Sequence, residues 1–296
     1  MKGWLITSHF VRDGEYLDLL RDFEQAAERT GVDFVRYTNV ELAPLLGRRD
    51  GLDILPDFAL FWCKDIQLAR HLEASGIRLF NSAEAIEMSD DKAATVAVLK
   101  RAGIAQPRTV MVPRSDEQTR WDGTGFAEAV VGALGLPVVF KQVRGSFGHE
   151  VFLAQTVAEL TDLLDRFAGR ACICQEYIAS SHGRDVRVQV VGERVVGAIE
   201  RYNETGDFRA NINSGASYRH WDVTSCQKNI ALEACAALGL EFAGVDLMFG
   251  KNDEPLVCEV NANAHSIPEM RECCDVDVAN EILDYIRWAV FGSALR

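Results

Sequence analysis

Residues 243–265 read AGVDLMFGKNDEPLVCEVNANAH. Val245–Phe249 and Leu256–Val260 are apolar runs, and Lys251-Asn252-Asp253-Glu254-Pro255 between them is turn chemistry, so the stretch reads as two strands joined by a polar turn. A hairpin centred on Asn252–Asp253 sets Asp246 directly opposite Glu259, with Asn261 two residues further along the same face. Directly opposed carboxylates have Cβ atoms roughly 5 Å apart and repel each other, so something positive belongs between them. Asp246, Glu259 and Asn261 offer oxygen ligands alone, a set that suits Mg²⁺, which in turn usually brings the phosphates of a nucleotide. On these residues alone, a solvated hairpin whose acids lean outward is the alternative.

The surrounding chain is 296 residues long and 48% hydrophobic, enough for a substantial core in about two domains with room for small lobes. Its net charge of −13 argues against a nucleic-acid partner, which needs a basic face, but not against a small basic pocket. The opening MKGWLITSHF has too short an apolar run for a signal peptide, and no stretch approaches the ~20 apolar residues of a membrane span. A cytoplasmic protein with no membrane partner is expected. The eight cysteines (Cys63, Cys172, Cys174, Cys226, Cys235, Cys258, Cys273 and Cys274) form no CxxC pair and mostly lie in apolar patterns. Structural thiols are expected rather than zinc.

Residues 1–87 alternate strand and helix: strand Trp4–Thr7, helix Glu15–Arg29 ended by Gly31, strands Phe34–Tyr37 and Phe58–Cys63, helix Ile66–Ala74 ended by Gly76, strand Arg78–Phe80. That pattern predicts a small parallel sheet. No G-x-G-x-x-G opens the first helix, so dinucleotide binding has no local support. Ser89-Asp90-Asp91 then offers N-cap residues for a helix running to Ala102 and stopping at Gly103, followed by strand Thr109–Val112. Lys92 in its first turn opposes the helix dipole, as though an anion lay nearby; a plain surface lysine is the alternative.

Residues 113–125 are polar and contain Gly and Pro, a loop or linker. After helix Phe126–Leu134, the run Val138-Val139-Phe140 ends in Lys141, and Gly145-Ser146-Phe147-Gly148 turns into strand Val151–Ala154. A strand lysine followed by a glycine loop can cover phosphates, the lysine as a point charge and the loop through its backbone N–H groups; an ordinary Gly hairpin is the alternative. Helix Val157–Phe167, capped by Thr156, leads to strand Ala171–Ile178. An antiparallel pair, Val186–Val191 and Val195–Glu200 about the turn Gly192-Glu193, carries Asp185, Arg187 and Arg201, with Arg209 and Asn211 beyond it. Such clustering of anion-binding residue types stands out in an acidic chain. Helix Gln227–Leu238 starts from a Thr224/Gln227 capping-box pattern, and the chain closes in the amphipathic helix Val278–Phe291.

The order of these pieces resembles the ATP-grasp superfamily, and within it the RimK-type amino-acid ligases. The resemblance runs from about Asp91 to Ala264 through Asp91-Lys92, Gly103-Ile104 with Pro107 and Thr109, Pro137…Lys141, the Gly145–Gly148 loop, QEYI at 175–178, DVRVQVVG at 185–192, FRAN at 208–211, GVDL at 244–247 and EVN at 259–261. It implies an α/β protein of the ATP-grasp fold: an N-terminal Rossmann-like βα lobe (1–87), a small central lid lobe (88–177) and a C-terminal antiparallel-sheet lobe with the Mg²⁺ and phosphate site (178–296). It also implies ATP and Mg²⁺ as cofactors, with Lys92 and Lys141 on phosphates under the Gly145, Ser146, Phe147, Gly148 loop. Gln175, Glu176, Tyr177 and Ile178 would then present backbone to adenine, with Glu176 and Asp185 as ribose or hinge contacts. Arg209 and Asn211 would face the γ-phosphate, and Asp246, Glu259 and Asn261 would bind Mg²⁺.

The implied activity is ATP-dependent joining of a carboxylate to an amine through an acyl phosphate, with small amino-acid or peptide substrates. Lys141, Arg201, Arg209 and His265 are the candidate catalytic residues. Arg187 and Arg201 have forks that match a substrate carboxylate or acyl phosphate. Two segments depart from the ribosomal-protein-modifying type: Ala262-Asn263-Ala264-His265-Ser266, where relatives carry S-x-P-G, and Ser214-Gly215-Ala216, where they carry Gly-Gly. Both segments lie on the acceptor side, so Ser214, Gly215, Asn263 and His265 are candidate contacts to a different amine. His265 is open to acid–base, orienting or structural roles. A phosphotransferase on the same fold and a non-catalytic nucleotide-binding regulator stay as alternatives. The oligomeric state is open, a homo-oligomer included.

Overall fold

Short apolar runs separated by amphipathic helices have one economical packing, a parallel sheet with helices against it. The computed structural model, which describes residues 1–11, 14–47, 55–145, 150–210, 216–264 and 267–292, builds that sheet from β1 (Lys2–Thr7), β2 (Asp33–Thr38), β3 (Phe58–Trp62) and β4 (Leu79–Phe80), in the order β2-β1-β3-β4. Its helices are α1 (Gly14–Thr30), α2 (Asn39–Leu46) and α3 (Ile66–Ala74). Gly31 and Gly76 end α1 and α3 with φ of 71° and 86°, where a side chain would be strained. Helix α2 was not expected. Thr38 and Glu41 close a capping box at its start, while Pro44 inside it obscures the helical pattern.

The helix expected to start from the Ser89-Asp90-Asp91 caps and run to Ala102 forms, preceded by a helix that was not expected. Ser89 and Asp90 end α4 (Ala83–Asp90), which Ser82 caps, and Asp91 alone caps α5 (Lys92–Arg101) by accepting from the Ala94 N–H at 2.9 Å. The central sheet is antiparallel, in the order β5-β8-β6-β7: β5 (Thr109–Met111), β6 (Val138–Gln142), β7 (Val151–Ala154) and β8 (Cys172–Glu176), covered by α6 (Phe126–Leu134) and α7 (Val157–Arg166). Val138, Phe140, Cys172 and Cys174 pack with Leu160 and Leu164 on the helix side. The period-2 pleat therefore leaves Val139, Lys141 and Gln175 on the opposite face.

The third sheet is antiparallel, with order β11-β10-β9-β12-β13: β9 (Arg184–Val191), β10 (Arg194–Tyr202), β11 (Ser217–His220), β12 (Phe242–Phe249) and β13 (Pro255–Asn261). Val186, Val188, Val190, Val245 and Leu247 face α8 (Ser225–Leu238), whose expected Thr224/Gln227 capping box forms. Asp185, Arg187 and Asp246 take the other face. Strand β11 and α9 (Ile267–Cys274) were not expected; α10 (Val278–Phe291) was. One shared core joins Trp4, Ile6 and Phe61 of the first sheet to Val188 and Val245 of the third. The central sheet keeps its own core. Helix α5, beyond the boundary expected at 88, adds Leu99 to the shared core. All eight cysteines are free. Among the described residues no helix is long and apolar enough to cross a membrane.

Candidate active site

The β12–β13 hairpin does set Asp246 opposite Glu259. The register is not constant, though: Gly244–Asn261, Val245–Val260 and Asp246–Glu259 pair, then Leu247–Val257, leaving Cys258 as the extra residue of a β-bulge. The turn at Lys251–Asp253 holds Asn252 and Asp253 at φ of 57° and 60°, a conformation Asn and Asp tolerate. Asn261 Nδ2 lies 3.5 Å from Asp246 Oδ2, so the three expected metal-binding side chains meet on one face. The bulge also turns Cys258 into the site, its Sγ 3.8 Å from Lys141 Nζ.

Both lysines arrive from other parts of the fold. Lys141 comes from the exposed-to-cleft face of the central sheet, is 9% exposed, and donates to Gln175 Oε1 at 2.8 Å. Lys92, held at the start of α5 by its N–H to Val143 O (3.0 Å), donates from Nζ to the Gly145 carbonyl at 2.8 Å and lies 3.1 Å from Glu259 Oε1. Glu259 is the anion that the position of Lys92 against its helix dipole anticipated. Burial opposes ionisation of Glu259, but Lys92 and Lys141 overcome it and hold its carboxyl below the usual range.

Register again explains the arginines. Arg187 faces Asp246 across β9–β12 and donates Nε to Oδ1 at 2.5 Å and Nη2 to Oδ2 at 2.7 Å. Arg201 faces Asp185 across β10–β9, donates Nε and Nη2 to its two oxygens at 2.8 and 2.6 Å, and brings Nη2 to 3.0 Å from Asp246 Oδ2. Gly244 makes room for this: a Cβ there would stand 2.9 Å from Arg187 Cδ and 2.7 Å from the Ala264 Cβ. The forks expected to take a substrate carboxylate thus grip protein carboxylates, as buried guanidiniums must find anions. Burial works against the Asp246 charge, yet the Arg187 and Arg201 guanidiniums hold its carboxyl below the usual range. At Asp185 burial prevails over Arg201 and raises the carboxyl. Asp185, expected as a ribose or hinge contact, anchors Arg201.

These groups line a cleft of about 860 Å³, open to solvent, between the central and C-terminal sheets. Lys92, Lys141, Gly145, Gln175, Glu176, Tyr177, Ile178, Asp185, Arg201, Arg209, Asp246 and Glu259 all reach it. Strand β8 ends at Glu176, and Tyr177 and Ile178 continue along the cleft wall past the sheet. Glu176 accepts from Arg108 N and Nε, both at 2.6 Å. Arg209 pairs with Asp207, Nη2 to Oδ2 at 2.7 Å. Asn263 lies elsewhere, in a smaller pocket with Glu259 and Asn261. Ser146, Phe147, Gly148, Asn211, Ser214, Gly215 and His265 lie outside the described residues. Among the described residues no group of three or more His, Cys, Asp and Glu could hold a metal ion. Asp246, Glu259 and Asn261 could supply only part of an oxygen shell to a cation.

Sequence reasoning missed several wall residues. Met248 could have been found, since it lies two residues past Asp246 on the same strand face. Arg184, 3.9 Å over the Phe249 ring and 2.8 Å from Glu200, gave no local signal, and Cys258 reaches the cleft only through the bulge.

A model of the RimK-like ATP-grasp domain matches residues 89–286. A probable alpha-L-glutamate ligase of Sodalis glossinidius (strain morsitans) is 36% identical over 219 residues, 73% of this chain and 71% of its own length. Beta-citrylglutamate synthase B of Danio rerio is 32% identical over 305 residues, 96% of this chain and 73% of its own. The fold is shared with D-alanine–D-alanine ligase from Bacillus anthracis, solved with ATP, at a TM-score of 0.72 and 17% identity over 99% of this chain and 98% of that one. Matches of this extent settle family membership: the chain belongs to the RimK-like ATP-grasp family and is an ATP-dependent ligase.

Proposed function

We propose that the protein joins a carboxylate to an amine with cleavage of ATP to ADP and phosphate, through an acyl phosphate. The observation that carries this reading is the convergence of Lys92 and Lys141, from separate parts of the fold, on the hairpin that pairs Asp246 with Glu259. Phosphoryl transfer asks for charge cancellation and alignment more than covalent help, and this cleft supplies both. The oxygen-only donors Asp246, Glu259 and Asn261 fit Mg²⁺, which when bound neutralises charge on the phosphate oxygens. In this reading Lys141 and Lys92 hold the phosphates and Arg209 acts on the γ-phosphate, the role the family resemblance also implies for Asn211.

In the first step a carboxylate oxygen of the substrate bonds to the γ-phosphorus and the bond to ADP breaks. In the second the amine nitrogen bonds to the acyl carbon, the carbon–oxygen bond to phosphate breaks, and the amine gives up a proton. Within this reading Arg187 and Arg201 are positioning residues: they keep Asp246 ionised and aimed. Substrate contact by Arg201 would run through the network it shares with Asp185. The Gly145–Gly148 loop would exclude water from the acyl phosphate. The family resemblance implies acceptor-side roles for Ser214, Gly215 and His265, and the substrates in this reading are small amino acids or peptides.

Hydroxylamine trapping tests this directly. Offered with ATP, Mg²⁺ and a panel of carboxylates, the enzyme should give a hydroxamate and an equal amount of ADP. A phosphorylated alcohol without an amide, or AMP in place of ADP, would overturn the reading.

A further inference from the structure

Asn81 directly follows β4 and is fully buried. An amide so placed needs partners for two N–H groups and two oxygen lone pairs. All of them come from the β12–β13 region, 160 to 181 residues further along the chain. Asn81 Oδ1 accepts from the Glu241 N–H at 2.7 Å and the Phe242 N–H at 3.3 Å, and Nδ2 donates to the Phe242 carbonyl at 2.9 Å and the Ala262 carbonyl at 3.4 Å. The backbone ladder of the hairpin stops at the Gly244–Asn261 pair. Beyond that pair the Asn81 amide bridges the two strand ends as one more rung. The same segment continues into Ser82, the cap of α4, and past α4 to Lys92, 3.1 Å from Glu259. Residues 81–92 therefore brace the hairpin at its open end and at one of its acids.

We infer that Asn81 is a positioning residue for the metal site: by tying the start of β12 to the end of β13 it fixes the spacing of Asp246, Glu259 and Asn261. The inference rests on the reading of those three side chains as cation ligands. Mg²⁺ demands near-octahedral oxygens at about 2.0–2.1 Å, so a strand end free to shift by a fraction of an ångström weakens its hold. Asn261 depends on the rung most, because it sits in the last pair of the ladder and is bonded to Ala262. An aspartate at position 81 could accept from the two N–H groups but would bring no donor to the two carbonyls. Loss of the rung does not undock the lobes. Asn263 Nδ2 still donates to the Cys63 carbonyl at 3.2 Å, and the Trp62 and Phe242 rings stay stacked.

The test is titration of the whole protein with Mn²⁺, a paramagnetic stand-in for Mg²⁺ that also takes oxygen ligands, in saturating ADP. ADP affinity is measured separately in EDTA, and every titration is run at a temperature where circular dichroism shows the variant folded. Asn81→Ala should weaken Mn²⁺ about 10-fold, the low end for groups that orient metal ligands, with metal-free ADP affinity held within about twofold. Asn81→Ser keeps one donor and one acceptor, should lose less, and decides the matter if Asn81→Ala does not fold. Leu72→Ala opens a cavity in the core beneath α3 and should lower Tm while Mn²⁺ affinity stays within about twofold. Unchanged Mn²⁺ affinity in the folded Asn81 variants, or an equal loss in Leu72→Ala, overturns the proposal. Glu259→Gln separates it from the reading beneath it. If that variant binds Mn²⁺ as the wild type does, the hairpin is not the metal site and the proposal falls with it. Weakened Mn²⁺ in Glu259→Gln with none in Asn81→Ala leaves the metal site standing and removes Asn81 alone.

Discussion

Replacing Arg187 by methionine keeps an apolar stem and removes the guanidinium that grips Asp246 at 2.5 and 2.7 Å. The two side chains are 11% and 5% exposed, so water cannot take the place of the lost charge. Breaking a buried pair by deleting one partner costs about 3–5 kcal/mol. Arg201 still lies 3.0 Å from Asp246 Oδ2, which places the expected loss at the low end, about 3 kcal/mol. At roughly 2–4 °C per kcal/mol for a chain of this size, Tm should fall by about 6–12 °C.

The pH dependence of that loss is a sharper test. Burial alone would raise the Asp246 carboxyl, but Arg187 and Arg201 bring it below its ordinary value of 3.8. A depressed acid contributes stability that is fully present above its unfolded pKa and is lost as pH falls through the lower folded value. Without Arg187 burial regains ground, the carboxyl moves up, and the variant relieves its unpaired charge by taking a proton as the solution is acidified. The stability gap between variant and wild type should therefore be widest near pH 7 and narrow below about pH 5. Urea unfolding of both proteins at neutral pH and at about pH 4.5 measures it. A gap below ~1 kcal/mol at neutral pH, or an equal gap at both, would refute the buried-pair reasoning.

Other consequences are simpler to read. Glu259→Gln should fold normally and lose Mg²⁺-dependent activity, because a ligand charge goes while the core stays closed; wild-type turnover at ordinary Mg²⁺ would contradict the hairpin site. Lys141→Ala should weaken ATP binding by at least ~10-fold, the weight of a charge-assisted phosphate contact, and calorimetry showing unchanged affinity would remove Lys141 from the nucleotide site. Thiol labelling of the native protein at pH 8 should begin at exposed Cys226 and spare Cys63, Cys172, Cys174 and Cys235 until denaturant is added. Burial pushes the Cys172 thiol up to about 11 and those of Cys174 and Cys235 up to about 12, so rapid reaction of any of these three would show that the cores open.

The strongly periodic parts of the fold were legible from sequence, and so were groups that share a strand face. Asp246, Glu259 and Asn261 could be placed together because a pleat of period 2 and a turn fix opposition. The turn is centred on Asn252 rather than between Asn252 and Asp253, and the bulge at Cys258 restores the Asp246–Glu259 pairing. Lys92 was readable as a cation at the wrong end of a helix, and its partner Glu259 is 167 residues along, beyond any local pattern. The arginine network was invisible for the same reason: which carboxylate Arg187 and Arg201 would grip depends on the registers of β9 with β10 and β12. Helices α2 and α4 and strand β11 were missed because they are short and carry weak periodicity.

Isotope transfer tests the proposed chemistry most directly. A carboxylate that elicits ADP release is supplied with both oxygens as ¹⁸O, together with its amine, and the phosphate and nucleotide products are analysed by mass spectrometry. If the carboxylate attacks the γ-phosphorus and the amine then displaces phosphate, each inorganic phosphate carries one ¹⁸O, the ADP carries none, and one ¹⁸O stays in the amide. Label appearing in AMP, or phosphate formed without label alongside the amide, would contradict the acyl-phosphate reaction.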